Sequence, residues 1–103
     1  MKKEIKIVSL IPAHLASIRF KQKVMYKLYG LPMIEHVRRR AVDSGVSENI
    51  FVASGDKEIL ETVKHYGGQV KQTYKKHLNG TTRIAEAVED INCTHVIVIQ
   101  GDE

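Results

Sequence analysis

Residues 5–11 read IKIVSLI, a run rich in Ile and Val that is apolar on both faces apart from Lys6 and Ser9. A strand without a polar face needs cover on both sides, as expected of a central strand in a parallel sheet. The run stops at Pro12, which lacks the N–H that a central strand donates. Residues 95–100, HVIVIQ, are as apolar as the first run and predict a second strand of the same kind. A chain built around two such strands has to supply further neighbours and two covering layers.

Between these runs, strand-like and helix-like stretches alternate. A turn at Gly30 leads into a helix whose first turn suits Pro32. Met33, Val37, Ala41 and Ser44 recur at helical spacing, and Gly45 stops the helix. Arg38, Arg39 and Arg40 fall near its C-terminus, where positive charge is favourable. Residues 49–54, NIFVAS, are a second strand, and Asp56 is placed to cap the helix that follows. Ile59, Leu60 and Val63 form the core stripe of that helix, and Gly67 and Gly68 end it. Residues 69–73 are a third strand, polar enough for an edge, and residues 74–82, YKKHLNGTT, are a loop. Residues 83–91, RIAEAVEDI, are a third helix with Ile84, Ala87, Val88 and Ile91 on one face. Strand–helix alternation with short links implies right-handed crossovers. The predicted fold is α/β, a Rossmann-like three-layer parallel sheet with strand order 3-2-1-4. Its switch point lies between the first and fourth strands, and ligands bind beyond the carboxyl ends of strands there. The loop after Ile11 and residues 100–103 are therefore expected to meet.

At 103 residues the chain is one domain with a modest core. The net charge of +4 suits an anionic partner. Its cations are spread over Lys2, Lys3 and Lys6, the three arginines, and Lys75 and Lys76. Scattered blocks of this kind are solvated faces, so no nucleic-acid partner is expected. Cys93 stands alone, which excludes an internal disulfide and predicts a reduced, cytoplasmic setting. The basic opening imitates a signal peptide, but Glu4 and Lys6 interrupt it and residues 7–11 are too short for its apolar region. No stretch approaches transmembrane length, so no membrane partner is expected. Neither G-x-G-x-x-G nor G-x-x-x-x-G-K-[ST] is present, which argues against a dinucleotide oxidoreductase and a P-loop enzyme.

The loop after the first strand carries the chemistry. Small residues from Ala13 to Ser17 precede Arg19, Lys21 and Lys23. Small residues let backbone N–H groups approach an anion, and spaced cations neutralise it, which is a common way to hold a phosphate. An ordinary strand exit with solvated lysines would have the same spacing.

Four segments together, IPAHLASIRFKQK, GLPMIEHV, HLNGTTRIAEAV and VIQGDE, carry a family resemblance. In that order and spacing they resemble the sugar-activating cytidylyltransferases, most closely the CMP-Kdo synthetases (3-deoxy-manno-octulosonate cytidylyltransferases). The CMP-sialic acid synthetases are more distant relatives. The resemblance covers essentially the whole chain. It implies a fold of the nucleotide-diphospho-sugar transferase type and transfer of CMP from CTP to an acidic sugar, with release of pyrophosphate and a need for Mg²⁺. Carried over by position, the backbone at Pro12 and Ala13 holds the nucleotide, with His14 and Ser17 in the same loop. Arg19 and Lys23 hold the triphosphate, and with Asp102 they make the catalytic set. Asp102, in QGDE, binds Mg²⁺. Gln100 lies near nucleotide and sugar, Thr81 lines the nucleotide cleft, and Arg83 meets the sugar. The chemistry is consistent: a carboxylate just past a central strand suits a hard cation, and attack at phosphorus needs its charge neutralised. Asp102 as a plain turn aspartate and Arg83 as an ordinary first-turn residue are the alternatives.

The chain also departs from the family pattern. His14 stands where P-A-R is usual, replacing a permanent cation with a pH-dependent one. The usual G-K-P-L becomes Gln22, Lys23, Val24 and Met25, and the usual Thr-Asp after the second strand becomes Ser54-Gly55, with the acid displaced to Asp56. The sequence is less than half the family's length, which implies a fragment or a truncated relative. Residues 1–103 are expected to be the nucleotide-binding N-terminal half of a cytidylyltransferase domain, inactive alone. A homo-oligomer through an exposed sheet edge or a truncated interface is expected. Two other readings stay open: a degenerate nucleotide- or protein-binding module, and another nucleotidyltransferase, the CMP-sialic-acid type included.

Overall fold

The computed structural model describes residues 5–15, 25–76 and 79–100. In chain order the elements are β1 (Ile7–Pro12), β2 (Lys27–Leu28), β3 (Leu31–Pro32), α1 (Met33–Ser44), β4 (Asn49–Ser54), α2 (Lys57–His65), β5 (Gln69–Gln72), α3 (Gly80–Ala87) and β6 (His95–Val98). Four of the strands form one parallel sheet in the order β5-β4-β1-β6. Counting only these four, that is the predicted order 3-2-1-4.

Alternation along β1 and β4 divides the core into two layers. Ile11, Ala13, Ile50 and Val52 pack with Ile34 and Ala41 of α1 and Ile59 and Val63 of α2. Val8, Leu10 and Ala53 face the other way, onto Ile84 and Ala87 of α3. Helices thus cover both faces of β1 and β4, whereas β6, expected to be a strand of the same covered kind as β1, lies at the edge of the described sheet with His95, Val96 and Val98 exposed. Ser9, the polar exception in β1, is fully buried and its hydroxyl bonds that of Ser47 at 2.7 Å.

Four expectations need correction. The first strand was predicted over residues 5–11, yet β1 is Ile7–Pro12. Its start shifts because Lys6 is held by Thr94: its amide donates to the threonine hydroxyl at 2.8 Å and its carbonyl accepts the Thr94 amide at 2.8 Å. Its end includes Pro12 because the ladder to β4 does not use the Pro12 nitrogen. The Ala13 amide donates to the Ala53 carbonyl at 3.0 Å, so the amide position before it faces the opposite side, past Val98 where β6 ends.

The second correction concerns the three arginines. They lie in the middle of α1, with no basic residue in its last turn. Arg38 and Arg39 instead serve Glu35, whose side chain is fully buried. Arg38 Nη2 donates to Glu35 Oε2 at 3.0 Å and Arg39 Nε to the same oxygen at 2.9 Å, while Arg38 Nε donates to Oε1. These bonds to Glu35 raise the Arg38 pKa above its ordinary value. Gly68 makes room for this arrangement, since a Cβ there would lie 2.6 Å from Arg38 Cδ.

Third, α3 begins at Gly80 rather than at residue 83 and ends at Ala87 rather than 91. Asn79 starts it: its side-chain oxygen accepts the Thr82 amide at 2.9 Å. Beyond Ala87 the chain turns, and Asp90 pairs with Lys71 of β5. The fourth correction is smaller, since β5 stops at Gln72 and β6 at Val98.

One element was not foreseen. Tyr29 and Gly30, with φ of 52° and 79°, close a two-residue hairpin between β2 and β3. His36 Nε2 lies 2.7 Å from the Leu28 carbonyl and ties the hairpin to α1. Among the described residues, no helix is long and apolar enough to cross a membrane.

Candidate functional site

The carboxyl ends of the parallel strands gather most of the described candidates. β1 delivers Pro12, Ala13 and His14; β4 delivers Ser54, Gly55 and Asp56; β5 leads into Thr73; and β6 leads into Gln100. The amide of Ile99 donates to the Leu10 carbonyl at 2.9 Å, which keeps the chain leaving β6 alongside β1. The N-terminus of α3 closes the group.

Gly80 is the meeting point. A Cβ placed on it would lie 2.9 Å from Pro12 Cγ, 3.0 Å from Gln100 Nε2 and 3.3 Å from Gln100 Oε1. The glycine therefore touches the ends of both β1 and β6 at once. Pro12, Gln100 and the turn that carries Thr81 are brought together here, as the predicted switch point requires. Thr81 and Gln100 are exposed around this contact, and so is the His14 side chain.

Arg83 has a different placement. It is 8% exposed, beneath the strand ends, and its Nη1 donates to Thr73 Oγ1 at 2.7 Å. Thr73 is itself anchored, its amide donating to the Ser54 carbonyl at 2.9 Å. Gly55 fits closely over this pair, because a Cβ there would meet the Thr73 carbonyl at 3.0 Å and Arg83 Nη1 at 3.5 Å. The bond to Thr73 ties α3 to the end of β5. The amides of Tyr74 and Lys75 add to that tie by donating to the Glu86 carboxylate at 2.7 and 3.1 Å.

The loop after β1 offers fewer amides than small residues alone suggest. Pro12 has no N–H, and the Ala13 amide is already given to Ala53. The Ala13 amide therefore faces β4, and the Pro12 carbonyl, in the same trans peptide, points away from it. The amide of Leu15 is also taken, by Asp56 Oδ2 at 2.9 Å. Ser17, Arg19, Lys23 and Asp102 lie outside the described residues. Among the described residues no cluster of His, Cys, Asp and Glu could hold a metal ion.

Sequence reasoning named Gly80 only as part of a motif, and it treated Asp56 as a helix cap. The cap signal at Asn79 was legible, with Asn three residues before a threonine amide and ahead of an apolar helical pattern. The contact at Gly80 left no signal, because it depends on how β1, β6 and α3 meet.

Comparison with known proteins bears on the same residues. The sequence model of a family described as cytidylyltransferase matches residues 8–103. A 3-deoxy-manno-octulosonate cytidylyltransferase from Geobacter metallireducens is 38% identical over 98 residues, covering 95% of this chain and 39% of the relative. One from Acidithiobacillus ferrooxidans is 41% identical over 97 residues, covering 91% of this chain and 38% of the relative. Among solved structures, a CMP:2-keto-3-deoxy-manno-octonic acid synthetase complexed with CTP superposes with a TM-score of 0.89 at 34% identity. That match covers 95% of this chain and 41% of the synthetase. The chain thus spans about two fifths of the length of the curated relatives it matches.

Proposed function

The chain belongs to the cytidylyltransferase family, and from that premise we propose that residues 1–103 are the nucleotide-binding N-terminal half of an enzyme that transfers CMP from CTP to Kdo. One observation carries the reading: Pro12, Gly80 and Gln100 converge at the carboxyl ends of β1 and β6. That is where an open α/β sheet binds its ligand. The relatives act on this substrate by name, and the superposed synthetase was complexed with CTP.

The roles follow from the groups available. The nucleotide is assigned to the backbone at Pro12 and Ala13, where the Pro12 carbonyl suits the amino group of cytosine, which is a donor. Arg19 and Lys23 are assigned to the β- and γ-phosphates, where a fixed positive charge stabilises the departing pyrophosphate. His14 and Ser17 belong to the same loop, with Thr81 and Gln100 across the cleft. Arg83, buried on Thr73, is assigned to shaping the sugar side of that cleft from below. Mg²⁺ is assigned to Asp102, two residues beyond Gln100. This ion takes one or two carboxylates and completes its shell with phosphate oxygens and water. When bound, it neutralises charge on the triphosphate. Turnover by residues 1–103 alone is not expected, because they match only about two fifths of the length of the relatives named for this activity. A single cysteine, with no internal disulfide to form, supports assigning the protein to a reduced, cytoplasmic setting. The exposed Val96 and Val98 of the edge strand β6 favour pairing with a second copy.

Amide shift mapping tests the nucleotide reading. CTP is expected to perturb the amides of residues 13–15, 79–83 and 99–100. Shifts confined to the groove at the other end of the sheet, lined by Lys6, Ser47 and Asn49, would overturn it.

A further inference from the structure

We infer that Asp56 is a positioning residue that holds the loop after β1 in its ligand-binding shape. The inference rests on the nucleotide reading above and adds to it a residue outside the binding loop.

Asp56 sits at the N-cap of α2 with extended backbone, φ −94° and ψ 117°, where an aspartate is favoured because it can accept an amide of its own helix. It makes no such bond. Its Oδ2 instead accepts the amide of Leu15 at 2.9 Å, across 41 residues of sequence. The carboxylate is aimed there by its own backbone. The Asp56 amide donates to Ser54 Oγ at 3.0 Å, and Ser54 is fully buried. Behind it, the Ser54 carbonyl is held by the Thr73 amide at 2.9 Å. Gly55 packs tightly against Thr73, which fixes the turn between them.

The loop therefore hangs from β4 and its exit at two alternate amides. Ala13 donates to the Ala53 carbonyl and Leu15 to the Asp56 carboxylate. The amide between them, that of His14, has no backbone partner among the described residues. Tying residues 13 and 15 to one side turns this N–H, together with the carbonyl of Pro12, the other way, toward the cleft beside Gly80 and Gln100. The chain then binds a ligand without first ordering this stretch.

A bystander charge and a positioning bond have opposite signs here. A carboxylate close to a triphosphate repels it, so deleting a bystander tightens binding. Deleting a positioning bond weakens it. Asp56→Ser keeps a good N-cap for α2 but shortens the side chain and cuts the tie. Asp56→Asn keeps an acceptor oxygen at the same reach and loses only the charge.

The experiment measures CTP binding by calorimetry and Leu15 amide exchange by NMR on the 103-residue chain and both variants. In Asp56→Ser, the Leu15 amide is expected to lose protection and CTP binding to weaken about tenfold, which corresponds to ~1.4 kcal/mol. Asp56→Asn is expected to keep the protection and to bind CTP at least as tightly as the wild type. Wild-type or tighter binding by Asp56→Ser would overturn the inference, as would an equal loss in both variants. If the wild-type chain binds no CTP, the nucleotide reading fails. The Leu15 exchange then decides the tie by itself, and unchanged protection in Asp56→Ser refutes it.

Discussion

Replacing Gly80 with alanine tests whether the ends of β1, β6 and α3 form one site. The added Cβ would stand 2.9 Å from Pro12 Cγ and 3.0 Å from Gln100 Nε2. Gln100 is exposed at the end of its strand, and its side chain can swing aside. The ring of Pro12 cannot, since it is closed on its own backbone and Pro12 is in register with Ala53 of β4. Either the first turn of α3 or the end of β1 must then move by a few tenths of an ångström. Overpacking of this kind costs about 1–3 kcal/mol. Alanine returns up to about 1 kcal/mol of helix propensity, less at the first helical position. The net loss is ~1 kcal/mol, small beside a total stability of roughly 5–15 kcal/mol, so the variant folds and melts about 4–8 °C lower. The displaced atoms lie where the nucleotide is proposed to bind, so CTP affinity should fall about tenfold, a larger free-energy change than a distant site would register. Melting curves and calorimetry on the same samples separate the two effects. A lowered melting point with unchanged CTP affinity would refute the placement of the site. A raised melting point would show that the contact yields without strain.

Three further outcomes are expected. Glu35→Ala strands the Arg38 guanidinium, whose side chain is 13% exposed, and should cost about 3 kcal/mol; a shift in the urea transition worth under about 1 kcal/mol would contradict the buried pairing. The hydrogen bond from Lys71 lowers the pKa of the exposed Asp90, so its small stabilisation is present above the ordinary value of 3.8 and lost as pH falls through the folded value; the melting difference between wild type and Asp90→Asn should therefore disappear in acid, and a difference that grows in acid would reverse the assignment. Arg19→Ala and Lys23→Ala should each weaken CTP binding more than CMP binding, by roughly 1.5–3 kcal/mol for a charge-assisted contact; equal losses for both ligands would mean that these cations only shape the loop.

The strand order was legible because strand–helix alternation with short links implies right-handed crossovers, which set β4 and β5 on one side of β1 and leave the other side to β6. That β6 is itself exposed, despite a sequence as apolar as β1, was not. The boundaries and the polar interior were less so. Gly80 and two threonines read as loop, although Asn79 turns them into the first turn of α3. Glu35 reads as an ordinary acid in the first turn of α1, and nothing local says that it is fully buried under two arginines. That knowledge needs Gly68, which is remote in sequence and leaves space for Arg38. The hairpin escaped because its strands are two residues long and its turn uses Tyr29, a rare choice at a φ of 52°.

The same limit applies to the site. Motif spacing identifies which residues gather at the strand ends, because strand ends and loop lengths fix their positions along the chain. It does not identify which of their polar groups are already used. Ala13 illustrates this: a small residue at the end of β1 invites an anion to its amide, but β4 takes that amide through Ala53. Arg83 illustrates it in reverse, since a cation expected in the cleft is buried and given to Thr73. Asp56 forgoes the cap bond its position favours and instead accepts the amide of Leu15, 41 residues earlier. In each case the deciding partner comes from a neighbouring strand end. The chemistry available to a ligand is what remains after the parallel sheet has satisfied its own backbone. Among the described residues that remainder includes the Pro12 carbonyl, the His14 amide and the groups that converge on Gly80.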